Sequence, residues 1–117
     1  MTKKNNLPKN IVERCDYVAQ PLHTLDLSGA QVNVNKKLEV PVTHIRMDYP
    51  FPVERGSFNV YPISEAHTWG ELLTETIKVF QREYNAGKNA TFHGLEDFII
   101  EPIEIHPNNL ATICIGS

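Results

Sequence analysis

The chain has few of the residues that small proteins use as staples. Two cysteines, Cys15 and Cys114, occur in 117 residues, near opposite ends. That excludes the dense disulfide framework of small secreted domains and leaves no C-x-x-C pair for zinc. Both thiols are read as reduced, because Met1 to Asn10 carries lysines but lacks the apolar stretch of a signal peptide. No apolar run approaches the ~20 residues that span a bilayer, so a cytoplasmic protein without a membrane partner is expected. Positive charge is scarce too, with 11 Lys and Arg against 14 Asp and Glu and a net charge of -3. The basic residues are also scattered, with Lys3, Lys4 and Lys9 at the start and Lys36-Lys37 at a turn-like site. A concentrated basic surface is therefore missing, and no nucleic-acid partner is expected.

Standard chemical signatures are lacking as well. There is no G-x-x-x-x-G-K-[ST] loop and no G-x-G-x-x-G turn to cradle phosphates. Ser28, Ser57 and Ser64 lie outside any G-x-S-x-G elbow, and neither cysteine sits in a local nucleophile signature. No cofactor is expected. These absences remove common solutions without removing enzymes as a class, and the reading leans away from an enzyme.

What is present begins with size. A chain of this length fits one domain able to bury a core without metals or disulfides. Residues 1–10, rich in asparagine and lysine, read as a mobile N-terminal segment, and residues 11–117 as a single domain.

The most legible segment runs from Thr68 to Gly87. Thr68-Trp69-Gly70-Glu71 has the form of a capping box, in which the threonine hydroxyl accepts from the backbone N–H three residues on and the glutamate reaches back. Trp69, Leu72, Leu73, Thr76, Ile77, Phe80 and Tyr84 then recur at three and four spacing. Glu71, Thr74, Glu75, Lys78, Gln81, Arg82 and Asn85 fall opposite. Gly87, or Asn85 a little earlier, is placed to supply a left-handed terminating residue.

Elsewhere the pattern alternates. Ala30, Val32 and Val34 alternate with amides, and Leu38, Val40 and Val42 resume after the lysines, which predicts a hairpin with Val34 facing Leu38. Pro41 cannot donate to a ladder, so its strand is expected at an edge or bulged. Ile45, Met47 and Tyr49 have the opposite parity, which requires a bulge or break near Thr43. Thr24 to Leu27 and Phe58 to Tyr61 are further strand candidates. At the C-terminus, an odd loop around Pro107-Asn108-Asn109 would align Ile105 with Ala111 and Ile103 with Ile113. The order of elements predicts an α+β fold. A mostly antiparallel sheet of about 5–6 short strands would carry one long amphipathic helix, about residues 68–86, packed on one face.

Three groups of residues are candidates for function. His44, Arg46 and Asp48 would project from one side of a strand, where an imidazole beside a guanidinium suits an anionic ligand and the aspartate could orient the histidine as a base. Alternating polarity is equally the mark of a solvent-facing strand. His93 and His106, with Glu96, Asp97, Glu101 and Glu104 nearby in sequence, have the ligand types for a divalent ion but match no compact metal motif, so no metal is expected. Tyr49, Phe51 and Val53, stiffened by Pro50 and Pro52, form an apolar loop that either anchors a protein interface or plugs the core.

The favoured function is a small protein-interaction or accessory module, such as an adaptor, inhibitor or immunity-type protein. It would present a sheet face, an edge strand or the proline-aromatic loop to another protein, with a homodimer as a close variant. The alternative is a small enzyme or ligand-binding domain using His44, Arg46 and Asp48.

Overall fold

The structure is a computed structural model that describes residues 10–47, 59–88 and 93–117. It is an α+β fold. The strands are β1 (Glu13–Cys15), β2 (Gln20–Pro21), β3 (Lys37–Met47), β4 (Asn59–Thr68), β5 (Ile99–Ile105) and β6 (Leu110–Gly116), with helix α1 (Trp69–Glu83) between β4 and β5. The sheet order is β1-β5-β6-β3-β4, with β2 also on β5 beyond β1. Among the described residues only β3 and β6 run parallel, and the other pairs are antiparallel.

The C-terminal hairpin has the expected register, Ile105 opposite Ala111 and Ile103 opposite Ile113. Parity decides it, because those isoleucines share one face only if the loop is odd, and that face is the one that becomes buried. The parity change in β3 is real as well. Val42 pairs with Ala66, and the register then shifts before His44 pairs with Pro62, so Val42, Ile45 and Met47 are all buried despite the odd step. Pro41 lies at an irregularity between Lys37 and Val42 and upstream of the part of β3 that β6 covers. The missing donor is tolerated there.

Helix α1 begins as the capping box requires, with Thr68 Oγ1 accepting from Glu71 N at 3.1 Å. Glu71 reaches one residue further back than expected and accepts from His67 N at 2.7 Å. Trp69, Leu72, Leu73, Ile77 and Phe80 are at most 1% exposed, each worth about 1.5–3 kcal/mol of burial. Thr76 is buried with them because its hydroxyl donates to Leu72 O at 2.8 Å. Val79 and Glu83 are buried too, which the stripe did not include. The helix does not stop at a left-handed residue. Tyr84 keeps right-handed angles, and a π turn continues through Lys88. Phe80, Tyr84 and Phe98 cluster at that end, with ring centroids 5.2–6.4 Å apart.

The hairpin expected at 30–35 is not there, and neither is a strand at 24–27. The amides that looked like outward strand positions make turns instead: Asn33 Oδ1 accepts from Asn35 N at 3.0 Å, and Asn33 O from Lys36 N at 3.1 Å. The carbonyls of this loop have another use. Val34 O accepts from Gly70 N at 2.8 Å and Lys36 O from Trp69 N at 3.0 Å, satisfying two orphan N–H groups at the helix start. A Cβ on Gly70 would sit 2.9 Å from Val34 O, so only glycine admits this approach.

Candidate functional site

Residues 1–9 and 48–58 lie outside the described residues, and with them most of the N-terminal segment, Asp48, and the apolar loop of Tyr49, Phe51 and Val53. His44 and Arg46 are described and share the face of β3 opposite Ile45 and Met47. His44 is exposed, with Nδ1 3.0 Å from Thr43 Oγ1, and its register neighbours are Pro62 and Leu110. Arg46 lies in a row that crosses the whole sheet, from Arg14 through Glu104, Thr112 and Arg46 to Val60. Two grooves, of about 410 and 620 Å³, lie along α1 and β4, lined by residues such as Val34, Glu71 and Glu75 in one and Pro62, Lys78 and Arg82 in the other; neither includes His44 or Arg46.

The histidines considered for a metal are not brought together. His93 precedes β5 and His106 follows it, so the seven-residue strand, which rises about 3.3 Å per residue, lies between them. His106 is 2% exposed with both ring nitrogens in contact, Nε2 2.9 Å from Thr112 Oγ1 and Nδ1 3.1 Å from Asn10 O. Its role is structural: it ties the start of the described chain to the sheet. Glu104 is held by Arg14, and Asp97 Oδ2 accepts from Gly94 N at 3.2 Å. Among the described residues, no three of His, Cys, Asp or Glu converge on a point.

The two edges of the sheet draw the eye instead. At β4 the outward backbone is guarded. Ser64 N donates to Glu75 Oε1 at 3.2 Å and His67 N to Glu71 Oε1 at 2.7 Å, while Pro62 has no N–H and the ladder beside them is irregular. Glutamates at positions 71 and 75 fall on one helix face, four residues apart, which lets both reach the strand. These features are the usual means of blunting a sheet edge.

The opposite edge is β1. Glu13 anchors it from the core side, accepting from Trp69 Nε1 at 3.1 Å and from Glu39 N at 2.9 Å, with Lys36 Nζ 3.4 Å away. Arg14 points to the other face and donates to both Asp16 and Glu104. Asp16 is the main reason its guanidinium is held more firmly protonated than usual. Val18 N and Ala19 N continue the pairing to β5, and Gln31 N then covers the outside by donating to Val18 O at 2.6 Å. Upstream of that closure, Ile11, Val12 and Tyr17 are 41%, 40% and 56% exposed. No described segment pairs with the outer side of β1.

No protein-family model, curated protein or solved structure matches this chain.

Sequence reading did not single out Ile11, Val12, Glu13 or Tyr17. The signal available was weak: three apolar side chains in seven positions, with no alternation long enough to register. Cys15 and Cys114 are outside any disulfide, and alternation puts Cys15 on the face of Ile103 and Cys114 on the face opposite Ile113.

Proposed function

We propose that this chain is a small protein-binding module whose docking surface is the outer edge of β1. One observation carries the reading: three large apolar side chains are exposed beside an edge that no described segment covers, while the other edge is guarded by carboxylates. An exposed strand edge offers main-chain hydrogen bonds for affinity, and flanking apolar side chains offer contact area. The occupant is an extended protein segment that adds to the sheet. The alternative of a ligand site at His44 and Arg46 has no comparable support, since those residues border neither groove.

The test compares what immobilised variants retain from extracts of the native host. Val12→Lys and Tyr17→Lys should lose specific proteins that the wild type and a Val60→Lys control both capture. A captured set that is the same for all four chains overturns the reading.

A further inference from the structure

We infer that the occupant of the β1 edge is a second copy of this chain, paired antiparallel about a two-fold axis at Cys15. The inference rests on the reading of that edge as the docking surface and names its partner. The available stretch is short, because Gln31 N closes the edge at Val18 O.

When two copies continue one sheet through the same strand, paired residues must face the same side. The sum of their numbers is then even, and the axis passes through a residue. An axis at Glu13, Arg14 or Asp16 sets like charges opposite each other, which is unfavourable. An axis at Val12 sets Arg14 against Asn10 and offers it no opposite charge, and an axis at Tyr17 drives the pairing into the closed end at Val18. At Cys15 the match is complementary. Arg14 of each copy faces Asp16 of the other, twice by symmetry, with Cys15 on the axis. Asp16 accepts from Arg14 of its own copy through Oδ1, and its side chain, 84% exposed, can also meet Arg14 of the other copy. Arg14, 46% exposed, already holds two carboxylates on that face. Strand pairing also brings the two Cys15 Cα atoms within the ~4.4–6.8 Å that a disulfide spans.

So short a pairing falls below the area of a stable interface, and the dimer is expected to be weak and concentration-dependent. Light scattering on the reduced chain should show it across a concentration series. Arg14→Glu and Asp16→Arg should each weaken it by about tenfold, and the double exchange should restore it. Diamide provides an independent trap. It takes two electrons and two protons from a pair of thiols, becoming the hydrazine as the Sγ–Sγ bond forms. The linked dimer should survive Cys114→Ser and vanish in Cys15→Ser. Absence of any dimer at every concentration overturns the self-pairing, as does a dimer linked through Cys114 or indifferent to the charge exchange. Capture of other host proteins through Val12 and Tyr17 would in those cases leave the docking surface standing and reassign its occupant.

Discussion

At one edge of the sheet a ten-residue strand, β4, is guarded from outside by glutamates of the helix that follows it; at the other, β1 has three residues and, among the described residues, no such guard. Both edges rest on carboxylates, but these face different ways. Glu71 and Glu75 occupy outward backbone donors, where they block addition of a strand. Glu13 turns inward and spends its oxygens on Trp69 and Glu39, which fixes β1 in place, and no described segment pairs with its outer side. The difference separates a stabilising use of a carboxylate from a guarding one, and the two should respond to mutation differently.

The largest effect is expected at Glu13. Glu13→Ala removes the acceptor for two donors at once, one of them on a tryptophan that is 1% exposed. Only the tryptophan donor is left unpaired in a partly buried setting, while Glu39 N is open to water, which predicts a loss of about 1–3 kcal/mol in chemical denaturation. A loss below about 0.5 kcal/mol, the scale of an ordinary surface change, would mean that Glu13 does not anchor this edge. Gly70→Ala should follow. It forces a methyl to within 2.9 Å of Val34 O, and the overpacking is expected to cost about 1–3 kcal/mol by the same measurement. An unchanged midpoint would show that the capping loop can move aside.

At the guarded edge the expected loss of stability is smaller and the local effect larger. Glu71→Ala with Glu75→Ala should cost about 1 kcal/mol through the helix cap. Amide exchange at Ser64 and His67 should speed up by about tenfold as their acceptors disappear. Exchange that stays at the wild-type rate would assign the protection of β4 to its irregular ladder and Pro62 rather than to the glutamates.

This contrast was only partly legible in the sequence. The helix start was, because a capping box is a local signal and Thr68 and Glu71 complete it within four residues. The C-terminal register was, because Ile103, Ile105, Ala111 and Ile113 allow only an odd loop. The segment from Ala30 to Asn35 was misread, since asparagines that alternate with apolar residues suit a strand and a chain of turns equally. The choice between them was made by Gly70 and Trp69, whose N–H groups needed the loop's carbonyls. The edges were less legible still. That Glu75 would cap Ser64, eleven positions earlier, depends on how the helix lies beside the strand. Val12 and Tyr17 become a surface only once β5 has taken the other side of β1.

The smallest effect separates the two edges by pH. On β4, burial and then the nearby Glu83 carboxylate raise the phenol of Tyr61 above its ordinary range. The folded state therefore keeps a proton that the unfolded chain releases first. The stabilisation is complete below the ordinary tyrosine pKa, about 10, and is lost as pH rises through the folded value. Beside β1 the sign reverses. Asp26 Oδ1 accepts from Ser28 N at 3.0 Å, a bond that lowers the carboxyl's pKa, in the loop that carries Gln31 onto Val18 O. This contribution is present above the ordinary aspartate pKa, about 3.9, and is lost as pH falls through the folded value. Thermal melts across pH should therefore show Tyr61→Phe flattening only the alkaline limb and Asp26→Asn only the acid limb. If Asp26→Asn leaves the acid limb unchanged, the loop closes the β1 edge without help from that carboxylate, and acid would not lengthen the bare stretch open to a second copy.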